Sequence, residues 1–179
     1  KYSFHELRIV GGGGFTLEWV GWDNYAKAIL DSEISIIGSC GVTHELFDHT
    51  RTRQTVRYDG VMQETCVTVT WMKYCAEMLR LTGDSAFADC MEQSFYNAYL
   101  GALRADGGEF AAYTPLSGNR WHGQHHCYMH TDCCTANGPR GFLCFLKKMF
   151  TVRGETATFN FYSSAMVRGE TVAGRKVAF

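Results

Sequence analysis

The chain has 179 residues, of which 46% are apolar and 20% charged, with a net charge of −1 and only 2 prolines. A chain of this length buries about 70% of the surface that its unfolded form exposes, so the composition is typical of a globular domain and excludes a disordered chain. No basic run indicates nucleic acid or an anionic membrane among the partners, and no apolar run approaches the roughly 20 residues of a membrane span.

The ends of the chain do not have the pattern of a complete protein. It begins at Lys1 without an initiator Met and ends at Phe179 in a segment patterned like a strand. We expect the chain to be part of a longer protein, and its oligomeric state stays open. Residues 1–20 lack the layout of a signal peptide, which leaves a cytoplasmic and a periplasmic location as alternatives.

The first third of the chain carries weak structural patterns. Gly11–Gly14 lacks both the Lys-Ser/Thr ending of a phosphate loop and the spacing of a dinucleotide-binding turn, so we interpret it as a connector. Apolar residues at roughly helical spacing predict a helix over 16–31, and residues 38–41 predict a turn. Residues 42–62 show no sustained period, which is typical of a long loop, and such loops are usually functional or disordered.

The middle of the chain predicts two helices. Over 64–81, apolar residues recur at steps of three and four, which indicates an amphipathic helix that Gly83 ends. Asp84 and Ser85 supply an N-cap for a second helix over about 85–103. We expect the two helices to lie antiparallel, because the connection between them is very short.

The last third predicts a further helix and then strands. Residues 109–134 are irregular, aromatic and rich in His. A helix is expected over about 137–150, with Pro139 near its first turn. Alternating apolar and polar residues predict strands over 156–162 and 171–179. Helices followed by strands indicate a mainly α fold that is succeeded by a β domain.

Three of the 8 cysteines, Cys75, Cys90 and Cys144, lie on predicted helix faces among apolar residues. This pattern indicates small buried thiols. A disulfide framework is disfavoured, because the chain is long enough to have a core. Cys133 and Cys134 are adjacent, an arrangement that gives strained disulfides but serves readily as two thiolate ligands.

Two pairs of residues indicate a metal site. Glu64 and Cys66 lie where a predicted helix begins, so both side chains can point to one place, and Cys133-Cys134 precede the next predicted helix, whose dipole favours thiolates. Three sulfurs and one carboxylate oxygen would meet the tetrahedral demand of Zn²⁺. By spacing alone, two unrelated sets of structural cysteines stay open as the alternative, because the chain has no standard C-x-x-C pair.

The histidines of the irregular region offer a competing metal interpretation. They are His122, His125, His126 and His130. We favour polar contacts in a cleft as their role.

Several segments, in order over roughly 38–165, carry a resemblance to a known family. They are Gln63-Glu64-Thr65-Cys66-Val67-Thr68-Val69-Thr70-Trp71-Met72-Lys73, Met78-Leu79-Arg80-Leu81-Thr82-Gly83-Asp84, Glu92 with Tyr96-Asn97-Ala98, Leu100-Gly101-Ala102-Leu103, Tyr113-Thr114-Pro115-Leu116 and Cys133-Cys134-Thr135-Ala136-Asn137-Gly138-Pro139-Arg140. With them the sequence resembles the β-L-arabinofuranosidases of glycoside hydrolase families 127 and 146. The pairing of E-T-C before a helix with C-C before A-N is hard to obtain by chance.

The resemblance implies a fold and a zinc site. The fold would be an (α/α)₆ barrel followed by β-sandwich domains, with residues 1–150 as part of the barrel and 151–179 as the start of a β-sandwich. The implied zinc ligands are Glu64, Cys66, Cys133 and Cys134.

The resemblance also implies the catalytic residues of a retaining glycoside hydrolase. Cys133, the first of the vicinal pair, would be the nucleophile, because a thiol that coordinates zinc is deprotonated outright. Glu45 best matches the acid/base, a glutamate that precedes the E-T-C motif, and Glu33 and Glu109 are weaker rivals. The implied partner is an arabinose-containing oligosaccharide or glycan. Further candidates for lining the sugar subsite are His44, His49, Trp121 and His126.

Three other interpretations stay open. The thiolates could form a non-catalytic structural zinc module, although all-protein structural sites usually contain only Cys and His, which argues against a Glu64 ligand. Cys133-Cys134 could serve a thiol-redox protein, which would need no Glu64. The third alternative is a family member that acts on another plant-polysaccharide sugar.

Overall fold

A computed structural model describes residues 5–10, 14–19, 34–41, 45–46, 62–116, 119–122, 133–164, 166, 168–172 and 175–178. Its helices are α1 (Thr65–Thr82), α2 (Ala86–Ser94), α3 (Leu100–Ala102) and α4 (Cys133–Leu146), with a π-turn over Phe95–Tyr99 between α2 and α3. Its strands pair antiparallel as β1 (His5–Val10) with β2 (Gly14–Trp19), β3 (Ala111–Tyr113) with β4 (Trp121–His122), β5 (Phe150–Arg153) with β6 (Thr156–Phe159), and β7 (Arg168–Val172) with β8 (Arg175–Ala178). The described part is mainly helical, as predicted, and its sheets are small.

Helix α1 forms where the sequence predicts it, and the second predicted helix, over about 85–103, is divided into α2, the π-turn and α3. Gly83 ends α1 in the left-handed conformation, with φ 74°, and its N–H donates to the carbonyl of Leu79. Asp84 caps α2, because its Oδ1 accepts the N–H of Ala86 at 2.9 Å. Ser85 makes no capping hydrogen bond and is itself helical, so the cap is Asp84 alone.

The core lies where α1, α2, the π-turn and α4 meet. Met72, Cys75 and Met91 are completely buried in it. Aromatic rings extend this core: Phe95 stacks on Phe145 with ring centroids 3.8 Å apart. Ring pairs of this kind contribute about 0.5–1.5 kcal/mol beyond the area that they bury, so they fix how α4 sits on the π-turn.

Helix α4 differs from the prediction at both ends. It begins at Cys133, four residues before the predicted start at 137, and ends at Leu146 rather than at 150. Pro139 therefore lies inside the helix and not in its first turn. The residue before a proline is disfavoured in a helix partly because its Cβ clashes with the proline ring, and Gly138 has no Cβ.

The β5–β6 hairpin is attached to the end of α1. The guanidinium of Arg153 donates hydrogen bonds to the carbonyls of Arg80, Leu81 and Thr82 at 2.8–3.0 Å. A cation is favourable at a helix C-terminus, where carbonyls lack partners within the helix. The strand predicted over 156–162 is shorter than expected, since β6 ends at Phe159, and the segment 171–179 spans two paired strands and not one.

The first third corrects one prediction. The helix predicted over 16–31 is wrong for 16–19, which belong to β2, where Leu17 lies opposite Leu7 of β1. Phe15, Leu17 and Trp19 alternate with polar residues, a strand period that the looser helical spacing obscured. The turn predicted over 38–41 lies slightly earlier, over residues 35–38, where the N–H of Gly38 donates to the carbonyl of Ser35 at 2.9 Å. Gly38 and Gly41 both have positive φ, 75° and 91°.

Most of the predicted loop over 42–62 lies outside the described residues, as do residues 20–31. Within the described part, no helix has both the length and the apolar character that crossing a bilayer requires. The division into a barrel over 1–150 and a β-sandwich over 151–179 stays a prediction.

Candidate metal centre

The candidate site lies where the first turns of α1 and α4 approach each other over strand β3. Glu64 is the N-cap residue of α1, and Cys66 is the second residue of that helix. Cys133 and Cys134 are the first two residues of α4. The structure thus brings together all four predicted metal ligands, and it does so at two helix N-termini, where the backbone favours negative charge.

The donor atoms of these four side chains converge. They all lie within 4.8 Å of one another. The thiols of Cys133 and Cys134 donate to Oε1 of Glu64 at 3.3 and 3.2 Å, and the sulfurs of Cys66 and Cys134 are 3.4 Å apart. In the described part of the chain, this is the only group of three or more His, Cys, Asp or Glu side chains that could hold a metal ion.

Without a cation, the pKa values of the three thiols shift in different directions. The hydrogen bond between Cys66 and Cys134 lowers the pKa of the Cys66 thiol. That same hydrogen bond, together with burial, raises the pKa of Cys134 above its usual range. Burial, followed by the interaction with Cys66, raises the pKa of Cys133. Only an added positive charge would stabilise three thiolates beside a carboxylate.

The residues fit a divalent cation. Oε2 of Glu64 is buried and has no hydrogen-bond partner among the described residues, so this oxygen is available as a ligand. Leaving such an atom buried without a partner is costly. Three sulfurs and one oxygen match the preference of Zn²⁺ for four tetrahedral ligands that include thiolates.

A strained residue aims Glu64 at the site. Gln63 has φ 56°, which costs a residue other than glycine roughly 1–2 kcal/mol. Its N–H donates to the carbonyl of Gly41, and its own carbonyl accepts hydrogen bonds from the N–H and the hydroxyl of Thr114. These bonds hold the turn that directs Glu64 across to α4, and such strain is typical of functional sites.

Two polar side chains behind the ligands were not predicted from the sequence. Asn137 makes a hydrogen bond to Cys66 that helps to lower the pKa of that thiol. Lys73 donates to Oδ1 of Asn137 at 3.1 Å. Asn137 lies in the C-C-T-A-N motif, so its closeness to the cysteines was the signal available, but its contact with Cys66 on α1 depends on the fold.

Tyr113 is a third residue of the site that the sequence left without a role. It pairs with Glu64 in an isolated β-bridge and packs with Cys66 and Cys134. Burial raises its pKa, and the charges of Glu64, the two α4 cysteines and Glu45 add to the shift. Glu45 is exposed, and its contribution to the pKa of Tyr113 places it within electrostatic reach of that residue.

Of the other candidate site residues, some lie within the described part of the chain and the others lie outside it. Glu109 pairs with Arg104 at 3.3 Å, which gives it a structural partner away from the four ligands. Trp121 and His122 belong to β4, where Trp121 lies opposite Tyr113 in the register. Outside the described residues lie Glu33, His44, His49, His125, His126 and His130.

Comparisons with known proteins identify the family and the fold of the chain. Residues 21–146 match the family model described as β-L-arabinofuranosidase, GH127 catalytic domain. The solved structure of a GH127 β-arabinofuranosidase is 25% identical, covers 88% of this chain and has a TM-score of 0.70. No curated protein sequence matches the chain.

Two further solved structures share the fold at 20% identity. One is a GH127 β-L-arabinofuranosidase from Geobacillus stearothermophilus T6, which covers 87% of this chain with a TM-score of 0.68. The other is a glycoside hydrolase that covers 83% with a TM-score of 0.58. The chain spans about a quarter of the length of the solved structures that it matches, between 24% and 28%.

Proposed function

The chain belongs to the family of GH127 β-L-arabinofuranosidase catalytic domains, and from that premise we propose that it forms the metal-binding part of a retaining glycoside hydrolase. The substrate would be a β-L-arabinofuranoside in an oligosaccharide or glycan, and the product L-arabinofuranose. The observation that carries this proposal is the convergence of Glu64, Cys66, Cys133 and Cys134 within 4.8 Å.

Burial distinguishes the three sulfurs. Cys134 is fully buried and Cys66 is 9% exposed, whereas Cys133 is only half-buried. Of the three residues, Cys133 is the most exposed, which supports it as the nucleophile. A nucleophile must also be ionised, and a bound zinc ion would supply the positive charge that keeps this thiol deprotonated.

The proposed reaction has two displacements. The Cys133 sulfur attacks the anomeric carbon while the bond from that carbon to the leaving oxygen breaks, and the Glu45 carboxyl gives its proton to that oxygen. Water then attacks the same carbon, its proton passes to the Glu45 carboxylate, and the sulfur leaves as the thiolate. Two inversions at one carbon retain its configuration.

An affinity label tests the role of Cys133. An L-arabinofuranose analogue with a haloacetamide at the anomeric position is expected to alkylate Cys133 before any other cysteine in zinc-loaded protein. Excess free L-arabinose slows the labelling, and Cys133→Ala abolishes it. Cys90→Ala, which removes another half-buried thiol, is the matched control and leaves the labelling unchanged.

The site of labelling separates the proposal from its rivals. Label on Cys134, or equally on Cys40 and Cys127, contradicts Cys133 as the nucleophile. Zinc-loaded protein that takes no sugar-directed label at all supports a structural zinc module. A native Cys133–Cys134 disulfide without zinc supports the redox interpretation.

Glu45 is tested through the leaving group. In the longest natural reading frame that contains this chain, Glu45→Gln is expected to slow arabinofuranosides with basic leaving groups by about 10²–10⁴-fold, because protonation matters most for them. Activated aryl substrates are slowed less. Glu109→Gln is the control, since Glu109 pairs with Arg104. Equal slowing of both substrate types by Glu45→Gln excludes the acid role.

A further inference from the structure

The hydroxyl of Tyr99 contacts both the carbonyl and the N–H that one backbone hydrogen bond of α4 would join. It donates to the carbonyl of Gly138 at 2.6 Å and accepts the N–H of Phe142 at 2.9 Å. These two backbone groups are four residues apart, the spacing at which an α-helix bonds them directly to each other. A side chain from outside the helix thus bridges the donor and the acceptor of one backbone hydrogen-bond position.

Pro139 weakens the same turn of α4. It has no N–H and cannot donate to the carbonyl four residues earlier. Two backbone hydrogen bonds near the first turn of α4, which contains Cys133 and Cys134, are therefore affected. Pro139 cannot form one of them, and Tyr99 contacts both partners of the other. A helix interrupted in this way can bend, so its direction depends on contacts from outside.

The surroundings of Tyr99 are built for this contact. A Cβ on Gly141 would overlap the Tyr99 ring, and a Cβ on Gly138 would overlap the ring of Phe110. Both glycines therefore permit the close approach of aromatic rings to the helix backbone. Tyr99 is completely buried and stacks on Phe95 at 5.3 Å.

The π-turn determines where Tyr99 points. A π-turn adds one residue to a helical turn, which rotates the following residues by about 100° relative to an uninterrupted α-helix. Tyr99 is the last residue of this turn. Burial raises the pKa of its hydroxyl, so the group stays a neutral donor at physiological pH.

This inference rests on the proposed metal site. We infer that Tyr99 is a positioning residue for it: its hydroxyl, inserted between Gly138 and Phe142, fixes the turn of α4 that presents Cys133 and Cys134 to Glu64 and Cys66. Gly138 lies one helical turn after Cys134, so a displacement of the Gly138 backbone also displaces the sulfurs of Cys133 and Cys134.

Titration of the full chain with Co²⁺ under reducing conditions tests this role. Tyr99→Phe keeps the ring and removes only the bridging oxygen. We expect it to weaken Co²⁺ binding by about 10–100-fold, the usual effect of losing an outer partner of a metal site, and to change the d–d bands that report tetrahedral geometry.

Two control variants separate positioning from stability. Met91→Ala opens a cavity in the same core but leaves the contacts of α4 with Tyr99 intact. Tyr96→Phe removes a phenol hydroxyl from the same π-turn, at a side chain that is 46% exposed. Both are expected to keep Co²⁺ affinity within about threefold of the wild type and to leave the d–d bands unchanged.

Hydrogen exchange of the metal-free protein gives a second readout. Tyr99→Phe is expected to speed exchange of amides over 135–142 while leaving α1 unchanged. Wild-type protein that binds no Co²⁺ overturns the proposed metal site, and this inference with it. Co²⁺ binding and spectra that are identical in wild type and Tyr99→Phe overturn the inference alone, as does equal weakening by Met91→Ala.

Discussion

Two groups of cysteines in this molecule carry the same thiol in different surroundings. The site thiols, Cys66, Cys133 and Cys134, lie at helix N-termini around Glu64. The core thiols, Cys75, Cys90 and Cys144, lie along α1, α2 and α4 against apolar side chains. The prediction of burial is confirmed completely for Cys75, whereas Cys90 and Cys144 are half-buried.

A lowered thiol pKa does not distinguish the two groups. The hydrogen bond between Cys66 and Cys134 lowers the pKa of Cys66, and the hydrogen bond between Cys90 and Cys75 lowers the pKa of Cys90 in the same way. The difference is the fourth ligand: the site thiols converge on a buried carboxylate, and the core thiols do not form such a group among the described residues. Metal-site chemistry therefore depends on converging donor atoms and not on the acidity of a single thiol.

The largest expected contrast is in metal content. Cys66→Ser is expected to lower zinc affinity more than about 100-fold, since losing even an outer partner typically costs 10–100-fold. Cys75→Ser is expected to retain one zinc per chain. Elemental analysis of gel-filtered protein, prepared under reducing conditions, measures both. Equal zinc content in the two variants contradicts the distinction between site and core thiols.

The order of the two variants should reverse when stability is measured: Cys75→Ser is expected to be less stable than Cys66→Ser. Cys75→Ser places a hydroxyl in a completely buried position and is expected to lower the free energy of unfolding by about 1–3 kcal/mol. In metal-free protein, Cys66→Ser is expected to cost less, because its surroundings are polar. Urea denaturation of both variants without zinc gives the comparison, and a larger cost at Cys66 would reverse it.

Alkaline pH sharpens the contrast at Cys75. Burial, followed by the hydrogen bond to Cys90, raises its pKa above the usual range, so the folded state keeps the proton that the unfolded state releases near pH 9. The contribution of Cys75 to stability is therefore present below pH 9 and is lost above it, at up to about 1.4 kcal/mol per pH unit.

Urea denaturation between pH 8 and 10.5 measures this loss. The stability difference between wild type and Cys75→Ala is expected to shrink as the pH rises. Val69→Ala, a buried position on the same helix without a titratable group, should show a constant difference from the wild type. A constant difference for Cys75→Ala as well would mean that its thiol ionises in the folded protein.

The smallest expected effect is at Lys73. This side chain contacts Asn137 and not the sulfurs, so Lys73→Met is expected to weaken Co²⁺ binding by less than about tenfold. Asn137→Ala, which removes the hydrogen bond to Cys66, should weaken binding more. Co²⁺ titration ranks the two, and an effect of Lys73→Met that exceeds that of Asn137→Ala contradicts this order.

Features that depend on local chemistry were predictable from the amino-acid sequence. Apolar spacing and Gly83 defined α1 within a residue at each end, and Asp84 marked the start of α2. The sequence resemblance implied the four ligands, because E-T-C and C-C are contiguous motifs that can be recognised without knowing the fold. These features depend on residues close together along the chain.

Features that depend on contacts between residues distant in sequence became visible only in the folded chain. Pro139 predicted a helix start, but Tyr99, 39 residues away from Gly138, bridges α4 through that turn. The contact of Asn137 with Cys66, the bridge between Tyr113 and Glu64, and the exposure of Cys133 over Cys134 likewise depend on how the elements pack. A sulfur pair that is 68 residues apart in sequence meets at 3.4 Å because α1 and α4 share one core, and no local pattern specifies that distance.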